Sequence, residues 1–82
     1  MEKELIEKIG RNKTNEKNFV NDFKVKYEEE GNISDEVWAL SFYTYKGSLY
    51  IITGDGMDIP FNDFIEDSKE KIYKSIINEE YK

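Results

Sequence analysis

Apolar positions in this chain change their spacing along its length, and the changes mark out its elements. Leu5, Ile6 and Ile9 fall at i, i+1 and i+4 in a charged stretch, which predicts a short helix over residues 2–9, stopped by Gly10. A polar connector follows. Phe19, Val20, Phe23 and Tyr27 then lie at i, i+1, i+4 and i+8, the spacing of one helix face. This predicts a second helix, capped by Thr14 or Asn15 and stopped by Gly31, with a turn over residues 32–35.

The middle of the chain reads differently. Residues 36–45 alternate and are rich in aromatic and β-branched side chains (Val37, Trp38, Leu40, Phe42, Tyr43, Tyr45), and residues 48–53 continue with Leu49, Tyr50, Ile51 and Ile52. Lys46-Gly47 between them predicts a β-hairpin. Asp55-Gly56 predicts a second two-residue turn into a short strand over residues 57–59, which Pro60 ends or confines to a sheet edge. A last helix is expected over residues 62–79. Asn62 or Asp63 would cap it, Asp63 and Glu66 stand at capping-box spacing, and Phe64 or Ile65, Ile72, Ile76 and Tyr73 or Ile77 form the buried stripe. The expected fold is a single α+β domain over residues 1–82, in the order α-α-β-β-β-α. It is a three-stranded antiparallel meander with N-terminal helices and a C-terminal helix.

The register of the first hairpin decides what the sheet exposes. A two-residue Lys46-Gly47 turn pairs Phe42 with Ile51 and Tyr43 with Tyr50. It puts Trp38, Leu40, Phe42, Leu49 and Ile51 on one face and Tyr43, Tyr45, Tyr50 and Ile52 on the other. A three-residue turn with a bulge at Gly47 moves Tyr50 and Ile52 to the Trp38 face. Lysine is poorly suited to positive φ, which tilts the choice toward the bulge. Either way both faces carry large apolar groups. The second face is covered by an N-terminal helix or left as a tyrosine-bearing surface of the kind enriched where proteins meet.

Composition removes several classes of chemistry. The chain has 82 residues and neither cysteine nor histidine. Disulfides, thiol or imidazole catalysis and a structural zinc site are thereby excluded. An aromatic content of 15% argues against disorder despite 37% charged residues. No apolar run reaches the ~18 residues of a membrane span, and the charged start Met1-Glu2-Lys3-Glu4 is unlike a signal peptide, so a cytoplasmic protein is expected. Asp55, Asp58, Asn62 and Asp63 could offer oxygens to magnesium or calcium, but they do not follow a calcium-loop pattern, and no phosphate-binding loop is present. No cofactor and no catalytic residue are expected.

The net charge of -6 is unevenly spread. Residues 27–68 hold ten acids and one lysine, Lys46, while the flanking segments are slightly basic. The acids are Glu28, Glu29, Glu30, Asp35, Glu36, Asp55, Asp58, Asp63, Glu66 and Asp67. Taken singly they read as turn, cap and solvated-helix residues. As a set they would attract a basic partner and repel nucleic acid.

The stretch from Asp35-Glu36-Val37-Trp38 through Tyr43, Tyr45 and Tyr50 to Asp55 and Asp58, followed by Pro60-Phe61-Asn62-Asp63-Phe64, resembles small acidic phage inhibitors, of which anti-CRISPR proteins are the best-known group. The resemblance covers about half of the chain and rests on no invariant motif. It implies a non-catalytic inhibitor that covers a nucleic-acid-binding surface with carboxylates and aromatics, and it assigns no individual residue. The expected partner is therefore a basic, nucleic-acid-binding protein, held by these ten acids together with Tyr43, Tyr45 and Tyr50. The rival expectations are a homodimer formed through the tyrosine face and an immunity protein or antitoxin against a basic nuclease.

Overall fold

In the computed structural model, which describes Met1 to Lys82, the predicted first helix is present as α1 (Glu2–Ile9), and Gly10 ends it at φ 110°. The expected second helix is a strand. β1 (Lys17–Val25) runs antiparallel to β4 (Val37–Tyr45), which continues through a hairpin into β5 (Ser48–Thr53) and then β6 (Asp58–Pro60). The sheet has four strands in the order β1-β4-β5-β6. A separate two-stranded hairpin, β2 (Glu28–Glu29) with β3 (Asn32–Ile33), follows β1. Helix α2 (Glu66–Ile77) completes an α+β fold. The expected meander of residues 36–59 thus forms three of the four strands, and only one helix precedes the sheet.

The error at residues 17–27 has a physical reason. Spacings of four and eight residues satisfy a period of two as well as one of 3.6. Phe23, Val25 and Tyr27 alternate with Lys24 and Lys26, and Val25 and Tyr27 are buried. Between Asn18 and Phe23 the strand bulges away from β4. There its outer edge pairs with the end of the chain: the Val20 amide donates to Glu80 O (2.8 Å) and the Lys82 amide donates to Asn18 O (2.8 Å). Residues 80–82 thereby cover an edge that would otherwise be open. Gly31 does not stop a helix. With Glu30 it makes the tight turn between β2 and β3, both residues having positive φ (51° and 81°), so Glu28, Glu29 and Glu30 belong to a hairpin rather than a helix end.

The first sheet hairpin takes the two-residue register. Tyr43 pairs with Tyr50 and Phe42 with Ile51, and both turn residues have positive φ, 50° at Lys46 and 78° at Gly47. Positive φ at both positions is what the right-handed strand twist favours, and it outweighs the poor fit of lysine. A bulge is present, but at Leu40, where the partner of Ala39 is Thr53 and that of Ser41 is Ile52. The Asp55-Gly56 turn is longer than two residues: Ile52 pairs with Asp58, and the Thr53 amide donates to Met57 O (3.0 Å). Pro60 closes β6, which is an edge strand.

The last helix starts four residues later than its pattern suggests. Residues Phe61–Asp63 form a 3-10 turn, after which Phe64 and Ile65 are extended (ψ 150° and 161°). Tertiary pairing accounts for this, because Phe64 bridges Tyr27 and the Ile65 amide donates to Lys26 O (3.1 Å). Ile65 occupies the cap position without a side-chain cap bond, so neither Asn62 nor Asp63 caps the helix and Asp63 with Glu66 forms no capping box. Both helices lie on one face of the sheet. Leu5 and Ile6 of α1 and Ile72 and Ile76 of α2 close one core over Val25, Phe42, Leu49 and Ile51. Phe19 and Tyr81 add aromatic packing on Phe42, each with its ring centroid 5.1 Å away. No helix covers the other face.

Candidate functional site

The Leu40 bulge sets the composition of the uncovered face. Beyond it, Phe42 and Thr44 point into the core and Tyr43 and Tyr45 point away. Before it the alternation is reversed, so Ala39 is buried while Trp38 and Leu40 are exposed. Trp38 and Leu40 therefore join Tyr43, Tyr45, Tyr50 and Ile52 on one face, a grouping that neither sequence register contained. Trp38 is 46% exposed, Leu40 39% and Tyr45 45%. Tyr43 stacks on Tyr50 at 5.3 Å with an interplanar angle of 17°. The Lys24 ammonium lies 5.1 Å from the Trp38 ring, and that of Lys46 5.2 Å from the Tyr45 ring.

Polar partners hold this face in place. The Tyr43 hydroxyl donates to Asp58 Oδ2 (2.7 Å). Burial of the phenol, aided by that bond to a carboxylate, raises the Tyr43 pKa from 10.0 to about 12. Ser41 Oγ donates to Glu16 Oε2 (3.0 Å) from the same side of the sheet. At the far end of β5, Thr53 Oγ1 donates to Asp55, and the Tyr27 hydroxyl donates to Asp55 Oδ2 (3.1 Å). The Thr53 bond is the main reason the Asp55 carboxyl titrates below its ordinary value, and the bond to Asp55 is the main reason the Tyr27 phenol is pushed up. On the helix side the Tyr73 phenol is likewise raised by its bond to Glu4.

The ten acids gather at one end of the sheet. Glu28, Glu29 and Glu30 sit on the β2-β3 hairpin, Asp35 and Glu36 precede β4, and Asp55 and Asp58 flank the β5-β6 turn. Asp63, Glu66 and Asp67 lie where α2 begins, held beside Lys26 and Tyr27. They do not form one uniform surface. Asp55 and Asp58 are engaged by the hydroxyls just described. Glu36 and Asp67 line a cleft with Lys24, Lys26 and Lys71, which offset them. Glu28, Glu30, Asp63 and Glu66 line a groove of about 430 Å³ floored by Phe64 and Ile65, with Lys69 as its one cation. Of the molecule's three salt bridges only Lys69–Glu66 (3.4 Å) reaches this end. Ile33 of the hairpin, 60% exposed, is the most exposed large apolar side chain in the molecule.

The opposite end of the sheet gathers cations around the β4-β5 turn, interspersed with Glu2, which accepts from the Leu49 amide (3.1 Å), and Glu7. The Gly47 amide donates to Arg11 O (3.0 Å), and Lys13 exchanges backbone and side-chain bonds with Thr44. Arg11, Lys13 and Lys46 thus lie together around the β4-β5 turn.

The thirteen candidate residues therefore divide. The acids share one end, whereas Tyr43, Tyr45 and Tyr50 lie on the uncovered face, with Tyr45 beside the β4-β5 turn; the Tyr43–Asp58 bond is the direct link between the two groups. Ile33, Trp38 and Leu40 were not singled out from the sequence. The bulge that exposes Trp38 and Leu40 has no sequence signature, while Ile33 could have been flagged as an apolar residue isolated among polar ones. Asp55, Asp58 and Asn62, which offered oxygens to a hard cation in the sequence reading, are bonded to Tyr27 and Thr53, to Tyr43 and to Glu2 respectively, and no group of three or more carboxylates is gathered closely enough to hold a metal ion. No helix is long and apolar enough to cross a membrane. Comparison with protein-family models, curated proteins and solved structures finds no match for this chain.

Proposed function

We propose that this protein is a non-catalytic inhibitor or adaptor whose acidic end docks a basic protein surface, one that itself binds nucleic acid. The observation that carries the reading is the set Glu28, Glu29, Glu30, Asp35, Asp63 and Glu66, gathered at one end with a single salt bridge among them. Carboxylates left without internal partners keep their full capacity to accept charge-assisted bonds from lysine and arginine. Their summed field speeds encounter with a positive surface and disfavours nucleic acid itself. Ile33 supplies an apolar contact inside the charged rim. A surface of this kind takes the place of phosphates, which is the anti-CRISPR-like decoy role, exercised in the cytoplasm. The three tyrosines lie away from this end, and the docking does not require them.

The test is capture of the partner from a host lysate, followed by association kinetics with the identified protein across a salt series. Triple reversal Glu28→Lys, Glu30→Lys and Asp63→Lys is expected to slow association at least about tenfold at low salt and to flatten the salt dependence. Nucleic acid added in excess is expected to compete. An unchanged association rate in the triple variant, or binding indifferent to nucleic acid, would overturn the proposal. An immunity protein against a basic nuclease would use the same surface, and the partner's identity separates the two roles.

A further inference from the structure

We infer that the uncovered sheet face is a homodimer interface on which a second copy packs turned end for end. The face has an apolar and aromatic centre, Trp38, Leu40, Tyr43, Tyr45, Tyr50 and Ile52, onto which the carboxylates of Asp58 and Glu16 reach from either side to accept from Tyr43 and Ser41. Its two-residue stack, Tyr43 on Tyr50, is already ordered by the bond to Asp58, so little side-chain freedom remains to be lost on association.

Edgewise assembly is blocked on both sides. Residues 80–82 cover part of β1, and on its remaining length the Lys71 ammonium caps Lys24 O (3.2 Å) and Ser68 Oγ accepts from the Lys26 amide (2.8 Å). The other edge, β6, is three residues long and ends in Pro60. What remains for a second sheet is the face itself. Four strands ~4.8 Å apart make a sheet roughly 15–20 Å wide, so the face offers roughly 500 Å² per partner, the size of a weak interface that dissociates on dilution rather than of an obligate one.

Charge chooses the second copy and its direction. An isologous interface must match itself, and this face carries both signs: Lys24 and Asp58 toward the acidic end, Glu16 and Lys46 toward the β4-β5 turn. A two-fold axis lying between the sheets and across the strands sets Lys24 opposite Glu16, and Asp58 toward Lys46, of the other copy. A two-fold axis along the strands would instead bring the two acidic ends together, which like-charge repulsion disfavours. In the end-for-end dimer the grooves lined by Glu28, Glu30, Asp63 and Glu66 stay open at opposite extremes, so this surface and the proposed docking end work independently.

Sedimentation of the full chain over a dilution series tests the inference, with emission from Trp38, the only tryptophan, as a second readout. A dimer of the 9.7 kDa chain is expected that dissociates on dilution with a red shift of Trp38 emission. Leu40→Lys, at a position already partly exposed in the monomer, is expected to raise the dimer dissociation constant at least about tenfold while the far-UV spectrum stays unchanged. A wild-type monomer at millimolar concentration, or a Leu40→Lys variant that dimerises as the wild type does, overturns the interface. Because the chain has no cysteine, Lys46→Cys and Met57→Cys chains can be mixed under oxidation. A mixed disulfide supports the end-for-end arrangement, and homodisulfides alone overturn it.

Discussion

Thr44 joins the sheet to the loop that follows α1, and replacing it by valine isolates what its hydroxyl does. The side chain is fully buried on β4 opposite Leu49. Its hydroxyl donates to Gly10 O and accepts from the Lys13 amide (3.1 Å), while its own amide donates to Lys13 O (3.0 Å). Valine fills the same space and leaves the Lys13 amide and the Gly10 carbonyl without side-chain partners. Each unsatisfied backbone group costs about 1–3 kcal/mol when buried, and the partial exposure of this loop puts the combined cost near 2 kcal/mol. Against a total stability of roughly 4–12 kcal/mol for a domain of this size, that is a large fraction. The expected fall in melting temperature is roughly 8–16 °C. Thr44→Ser is the control, since it keeps the hydroxyl and loses one methyl, costing about 1 kcal/mol. Thermal and urea unfolding of both variants therefore separate hydrogen bonding from packing. A valine variant as stable as the serine variant would refute the assignment of a structural role to the hydroxyl.

Three further outcomes follow from the same geometry. Asp55→Ala removes the acceptor for Thr53 and Tyr27 and is expected to cost about 1–2 kcal/mol at neutral pH. Because the Asp55 carboxyl is depressed in the folded state, its contribution is present above about pH 3.8 and lost as pH falls through the lower folded value, so the gap between wild type and variant in urea melts should close in acid. Tyr43 behaves in the opposite sense. Its raised pKa gives stability that is intact below pH 10 and lost as pH rises toward about 12, and Tyr43→Phe is expected to flatten that alkaline decline in a circular dichroism titration. Lys46→Asn places Asn-Gly in a turn that already has positive φ at both positions and is expected to raise stability by about 0.5–1 kcal/mol in thermal melts.

Much of the fold is legible in the chain, and the exceptions have a common cause. Helix α1, the meander and the buried stripe of α2 follow from local spacing and turn residues. What local spacing leaves undecided is settled by distant partners. Residues 17–25 are drawn into a strand by β4 on one side and, at Asn18 and Val20, by residues 80–82 on the other. Phe64 and Ile65 are held extended by Tyr27 and Lys26, more than thirty-five positions away. The same holds for the candidate surfaces. The acidic bias of residues 27–68 is visible as composition, and the fold gathers it at one end. The exposed aromatic face depends on a single extra residue at Leu40, whose effect is to reverse which side chains point outward. Hydrophobic alternation across residues 36–45 gives no hint of that reversal, because Trp38, Leu40 and Phe42 would all be acceptable core residues.

The placement of both helices on one side of the sheet also bears on how the chain reaches its native state. Glu2 accepts from the Asn62 side-chain amide (2.9 Å) and Glu4 from the Tyr73 hydroxyl (2.7 Å), so the first turns of the polypeptide are held by groups near its other end. The core beneath them stays open until α2 arrives. A nascent chain leaving the ribosome can form the β4-β5 hairpin early, but α1 has no complete surface to dock on, and β1 has no covered outer edge, before residues 66–82 have been released. Docking of α1 and covering of the β1 edge therefore depend on contacts of high sequence separation, the kind that set a slow folding step, rather than on local ones.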